Sequence, residues 1–349
     1  MFYLGCRGLA GVTFLVLGLL WRTVPACSQE THFFRIGAAA TAGSFFEIGG
    51  VLASAISKPA DSLPCEQGGS CGVPGLIAVA QATRGSVENL HMVAANQIES
   101  GISQSDVVSW AYGGTGIFAG EGPIKKLRAI ASLFPESLHF VVPAAGPIHR
   151  LADLKGRRIS LGQTGSGTLV DARIVLAASG LAETDLSPEY LRSGTAAENL
   201  SAGDLDGFFL IGGIPIPAVR ALAGTTPIRL VPIPEDVLHA MQEKSGPYQR
   251  SVIPPDTYPG VGVATPTVGF HALWVVSADA SDDLIYAIVK ALWNEATQRL
   301  LDAHDPIGKQ VRLEGALDGL SVPLHPGAKR FYLEVGLPVR DSEPPGKLD

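Results

Sequence analysis

One glycine-rich run, Gly162-Gln163-Thr164-Gly165-Ser166-Gly167-Thr168, is built for chemistry with an anion. It follows an apolar strand-like run, Arg158 to Leu161, and precedes a helical pattern from Leu169 to Ala178 that ends at Gly180. A strand, a tight turn and a helix start aim backbone N–H groups and the positive end of the helix dipole at one point. The hydroxyls of Ser166 and Thr168 would join those donors. No Lys precedes Thr168, so the run is not a Walker A loop. Val170 stands where a third Gly would complete G-x-G-x-x-G. Phosphate is disfavoured and a carboxylate is the better guest. The competing reading, of equal weight, is a turn that only packs a strand on a helix.

Two further stretches share this form, a strand end turning into a helix start: Thr41-Ala42-Gly43-Ser44 and Gln104-Ser105-Asp106. Should all three face one cleft, a carboxylate would meet donors from both sides, each contributing about 1.5–3 kcal/mol. Gln104 could orient a ligand or satisfy backbone at a strand end. Asp106, in a first helical turn, reads as a partner for the helix dipole before a binding group. Phe45, Phe46 and Phe209 could wall a pocket, though core packing is their default.

Catalysis is poorly supplied. The eight histidines sit singly, with no H-E-x-x-H. Ser166 is not in a G-x-S-x-G elbow, because Thr164 occupies the first Gly position. No enzymatic activity, cofactor or metal is expected. Cys65 and Cys71 bracket a short flexible loop, and in an exported chain they read as a disulfide.

The positioning elements alternate. Strands are expected at 33–37, 76–80, 100–103, 127–133, 138–142, 158–161, 206–211, 228–233 and 268–276. Helices are expected from Ser44 to before Pro59, from an N-cap at Ser86, and over 107–112, 169–178, 196–200, 215–222 and 282–301. Pro254 to Gly260 can be neither helix nor central strand and reads as a rigid connector. This alternation predicts an α/β chain with parallel-rich sheets. A restart after Pro143 and a late return divide it into lobe I (28–141 with 268–349) and lobe II (142–267), with a cleft at the carboxyl ends of the strands.

The chain has 349 residues, 46% hydrophobic and 17% charged, which describes a core-rich folded protein. Residues 1–27 read as an export signal: Arg7, an uncharged run from Gly8 to Trp21, and the small-residue site Val24-Pro25-Ala26. Cleavage there would leave Cys27 first, in a poor lipobox context but open to a lipid anchor. Without Arg7 and Arg22 the chain keeps 24 basic residues against 33 acidic, a net charge of −9. Nothing in that balance attracts nucleic acid.

The order of motifs resembles the TAXI-type solute receptors of TRAP transporters. The likeness is carried by Gly43-Ser44-Phe45-Phe46, Gly85 to Leu90, Gln104-Ser105-Asp106, Leu151 to Gly162 with Gly165 to Thr168, Thr257-Tyr258-Pro259-Gly260 and Pro266 to Gly269, within about 33–305. It implies a periplasmic receptor with the two-lobed type II periplasmic-binding-protein fold, a hinge and an interlobe cleft. Such a receptor hands a small carboxylate or glutamate-like amino acid to a TRAP-type membrane permease. It places Thr41, Gly43, Ser44, Gln104, Ser105, Ser166, Gly167 and Thr168 on ligand-facing loops, and the candidate set adds Phe46, Asn89, Gly165 and Gly212. The sequence departs from the family at Phe45-Phe46-Glu47, where tyrosines followed by proline are common. Two alternatives stay open: a sensor protein docking on a kinase, and a secreted hydrolase using Ser166.

Overall fold

Short apolar runs separated by glycine turns become twelve strands and ten α-helices in the computed structural model, which describes residues 31–339 apart from 247, 305 and the side chain of Ser245. The expected export signal and Cys27 lie outside the described residues. β1 (His32–Gly37) leads into α1 (Ser44–Ile56), whose Phe45, Ile48, Leu52 and Ile56 are buried at the spacing one helical face requires. β2 (Ser57–Lys58) and β3 (Val73–Pro74) pair across the loop that a Cys65–Cys71 disulfide closes. β4 (Leu76–Gln81), α2 (Ser86–Ala94), β5 (Ser100–Gln104) and α3 (Ser105–Gly113) follow. Ser86 is the first residue of α2 rather than its cap; Gly85 holds the cap position.

The next strand, β6 (Leu127–Pro143), is continuous over 17 residues where two strands were expected. Pro135 does not break it. Opposite it lies His271, and the register shifts beside it, where Leu133 is skipped; a bulge of this kind tolerates a residue without an N–H. Then come β7 (Arg158–Ser160), α4 (Gly167–Ala178), β8 (Ser187–Glu189), α5 (Ser193–Ala202), β9 (Gly207–Gly212), α6 (Pro217–Ala223), β10 (Ile228–Leu230), α7 (Glu235–Ser245) and β11 (Gln249–Ile253). β12 (Thr265–Ser277) returns the chain to α8 (Asp282–Leu292), α9 (Glu295–Ala303) and α10 (Pro326–Glu334). The single helix expected over 282–301 is two. Asn294 interrupts it by capping α9, its side chain accepting from the Thr297 N–H at 2.8 Å.

The strands order β4-β1-β5-β12-β6-β9-β7-β8, with β10 on β6 and β11 on β12. Two parallel groups, β4-β1-β5 and β9-β7-β8, form the centres of two lobes. The antiparallel strands β6 and β12 belong to both. β6 pairs with β12 up to Ser137, then with β9 and β10 from Ser137 to Pro143. The connector expected at 254–260 is pinned from within: the Tyr258 hydroxyl lies 2.9 Å from His139 Nε2 and accepts the Ile216 N–H at 2.8 Å. Burial lowers the His139 pKa to about 4, so the ring is neutral and can accept there.

Below the first lobe, Trp274 is fully buried, meets Phe34 edge-on at 6.5 Å and donates its indole N–H to Ser100 Oγ at 3.0 Å. Truncating it leaves a large cavity and takes the indole donor from the Ser100 hydroxyl, which keeps its bond to the Arg35 carbonyl at 3.2 Å. Trp274→Ala is expected to lose about 3–5 kcal/mol of stability, and urea denaturation checks this; a loss below about 1 kcal/mol would show that the surrounding core does not depend on it.

Candidate functional site

The carboxyl ends of β1 and β5 face the 162–168 turn and β9, and a cavity of about 60 Å3 lies between them. Sites at strand carboxyl ends are where α/β sheets usually place ligands. Its wall includes Ser44, Arg84, Ser86 and Gln104 from the first lobe, with Thr168 and Ser193 from the second. Arg84 is the one charged residue among the described residues that line it. Its side chain is 59% exposed and pairs with Glu88 at 3.3 Å. Ser193, the first residue of α5, is buried with a hydroxyl that has no hydrogen-bond partner.

The turn itself is held open for close approach. Gly165 has φ +89°, the left-handed region that favours glycine. Ser166 is the N-cap of α4: its Oγ accepts the Leu169 N–H at 3.1 Å and donates to the Gln163 carbonyl at 2.7 Å. Thr168 Oγ1 accepts the Ile211 N–H at 3.2 Å, tying α4 to β9. At Gly167 an added Cβ would stand 1.9 Å from Gln104 Oε1. The helix start read from the sequence as an anion socket is therefore filled by the chain's own amide.

That amide is itself locked. The Gln104 N–H reaches Ser86 Oγ at 3.1 Å, and Gln104 Oε1 accepts from the same hydroxyl at 3.3 Å. Gln104 Nε2 then donates across the cleft to Asp171 Oδ2 at 2.8 Å, while the Tyr248 hydroxyl donates to Oδ1 at 3.0 Å. Other bonds cross beside it: Gln163 Nε2 to the Arg84 carbonyl at 2.8 Å, Glu88 N–H to the Gly165 carbonyl at 3.2 Å, and Gly213 N–H to Ser44 Oγ at 3.0 Å. The lobes are closed on each other.

Asp106 is not a solvated partner of the helix dipole. It is buried against Asp171, and burial pushes its pKa up to about 6. Burial first, then the charge of Asp106, raises Asp171 well above the ordinary carboxylate range. Burial and the same charge raise Glu136.

The sequence candidates separate into two groups. Gly43, Ser44, Gln104, Ser166, Gly167 and Thr168 line the cavity. Thr41 is exposed and lies off its wall, and Phe46 packs on the core of the first lobe while Phe45 takes the lining place. Asn89 is fully buried and ties strand ends together, donating to the carbonyls of Gly37, Ala38 and Ile102 at 3.1, 2.6 and 2.8 Å. Ser105 Oγ accepts the His271 N–H at 3.2 Å, away from the cavity. Gly165 touches Arg84 across the cleft, and Gly212 gives room to Ser44 Oγ, which a Cβ would approach to 2.4 Å. Arg84, Ser193 and Asp171 were missed. Only Arg84, a cation just ahead of Gly85 and the helix start, carried a signal that could have found it.

Among the described residues, no group of three or more His, Cys, Asp or Glu could hold a metal ion, and no helix is long and apolar enough to cross a membrane. The Ser166 hydroxyl has a carbonyl acceptor and a backbone donor as its partners, with no base against it.

The profile of the NMT1-like family matches residues 36–336, and the chain belongs to that family. Its architecture is the two-lobed α/β type II periplasmic-binding-protein fold with an interlobe cleft. Among solved structures it is similar to the alkanesulfonate-binding protein SsuA from Xanthomonas axonopodis pv. citri bound to MOPS: 19% identity, 87% of this chain and 84% of that one, TM-score 0.46. The periplasmic aliphatic sulphonate binding protein SsuA from Escherichia coli aligns at 14% identity over 87% and 84%, TM-score 0.41. An ancestral arginine-binding protein bound to arginine aligns at 12% over 86% and 97%, TM-score 0.42.

The family match corrects the TAXI-type reading, and the TRAP-type permease expected as partner goes with it. The shared strand–turn–helix motifs belong to the fold more widely than to one receptor class. The lipid anchor at Cys27 is likewise withdrawn; the cysteines that the structure joins are Cys65 and Cys71.

Losing the cap hydroxyl in Ser166→Ala is expected to cost about 1 kcal/mol of stability. Gly167→Ala should cost more, because its Cβ drives into Gln104 and breaks the link to Asp171. Urea melts of both variants check the order; equal midpoints would mean that Gln104 is not held against the helix start.

Proposed function

We propose that the chain is an extracytoplasmic solute-binding protein that encloses a small organic anion, a carboxylate or glutamate-like amino acid, between its lobes. In this reading 28–141 with 268–349 form one lobe, 142–267 the other, and residues 1–27 direct export. The observation that carries it is the composition of the cavity wall: one cation, Arg84, among hydroxyls, amides and apolar side chains. An anion entering there gains a charge-assisted bond to Arg84 without meeting a lining carboxylate. Ser193 supplies a second, waiting partner, since its buried hydroxyl lacks one. A cavity of about 60 Å3 favours a small solute in this closed state.

Binding from both sides of a hinge favours closure, because each lobe alone presents only part of the set. Ser44 and Gln104 come from one side, Thr168 and Ser193 from the other. The strands β6 and β12 are the parts that must flex, since they alone run through both halves of the sheet.

A thermal-shift screen of short amino acids, dicarboxylates and keto acids should find a ligand that raises the melting temperature. Calorimetry on the best of them is expected to show affinity falling about 10- to 100-fold in Arg84→Ala, the worth of one hydrogen bond to a charged group, and by a smaller factor in Ser193→Ala. Unchanged affinity in both variants would remove the cavity from the binding site.

A further inference from the structure

The interlobe contact buries a carboxylate that cannot remain charged as it stands. Both oxygens of Asp106 are buried, and among the described residues no cationic side chain is set against them. Its neighbour is Asp171, on the opposite lobe, near enough for the charge of Asp106 to act on it. Two ionised carboxylates buried side by side repel each other and lose their hydration, so the closed form favours a proton on one of them. Asp171 is already steadied by Gln104 and Tyr248.

Among the described residues, no cation figures among the groups that act on the pair. Glu136 lies close by on β6, one residue before that strand changes partners, and its Oε2 also lacks a partner. Facing the pair are Gln104 from β5, Glu136 from β6 and Tyr248 from the segment joining α7 to β11. The ionic groups of adjoining helices are engaged elsewhere: Arg84 with Glu88, His91 with Glu121, Arg173 with Glu183, and His239 with Glu235. On β12, His271 is set against Ser132 and Asp318.

We propose that Asp106 and Asp171 form a proton-dependent clasp, in which one proton shared between the two carboxyl groups holds the lobes together and its release to solvent lets them part. The closed form binds more protons than the open form, in which both groups would be hydrated and ionised. Closure is therefore favoured at low pH and lost as pH rises through the closed-state values, of which that of Asp106 is about 6. The clasp is built into the chain and acts without regard to which solute is captured, so it stands apart from the identity of the ligand.

The test is small-angle X-ray scattering of the full, ligand-free chain between pH 5 and pH 9, with circular dichroism confirming the fold and infrared spectra of the same samples. The radius of gyration is expected to rise with pH, with its midpoint at or above about 6. The carbonyl-stretch band of a buried protonated carboxylic acid should disappear over the same interval. Asp171→Asn and Asp106→Asn each supply an amide donor that no pH in this range removes, so both should stay compact throughout. A wild-type radius that does not change with pH overturns the clasp, as does a folded variant that opens as the wild type does. Should one variant fail to fold, the other decides; should both, opening without loss of the infrared band overturns the proposal, and opening together with its loss supports it.

Discussion

The side chain of Gln104 is the constraint on which the rest of the closed structure depends. It leaves the end of β5, is gripped by Ser86 at the start of α2, lies against Gly167 at the start of α4 and ends on Asp171 inside that helix. Three helix starts are thereby brought to one place by a single amide. A residue with a Cβ at 167 could not allow this approach. The same amide is the reason the glycine turn does not itself receive an anion: its helix start already faces an internal carbonyl oxygen. The cavity that remains lies beside it, lined among others by Arg84, whose guanidinium is paired with Glu88, and by Ser193, whose hydroxyl has no partner.

Topology makes such a contact adjustable. Two long strands pass through both halves of one sheet, so the halves cannot separate as free domains, yet each keeps its own parallel centre and its own helices. A short set of hydrogen bonds across the cleft, each worth about 0.5–1.5 kcal/mol net, can then decide between open and closed. The buried acids Asp106, Asp171 and Glu136 oppose that set whenever they are ionised. Closure consequently depends on what neutralises them as well as on what fills the cavity.

Much of this architecture could be read before any coordinates. The face of α1, the parallel strands and the return through β12 follow from periodicities that local physics imposes, and parts of the three strand-to-helix turns (Gly43-Ser44, Gln104 and Ser166 to Thr168) line one cavity. The errors were of a consistent kind. One strand was divided at Pro135 because a bulge across a sheet leaves no local trace, and two helices were fused because Asn294 looks like any polar helical residue until its side chain is seen capping. Asn89 resembled a ligand contact and is a buried strap between strand ends. Asp171 sits unannounced in a helical pattern, 65 residues from the acid it meets, and no spacing rule connects them. Ser166 was correctly placed on the wall, but its hydroxyl is occupied by the helix it starts. The resemblance to one receptor class was carried by turns that the fold itself demands, which is why it pointed to the right architecture and the wrong family.

The claim at the centre of this account is that an anion is held between the lobes beside Arg84. A crystal structure of the chain with the carboxylate that stabilises it most would test this directly. The account predicts the carboxylate within hydrogen-bonding distance of the Arg84 guanidinium and Ser193 Oγ, with Gln104 still joined to Asp171. A carboxylate bound elsewhere, with the interlobe cavity unchanged, would contradict it.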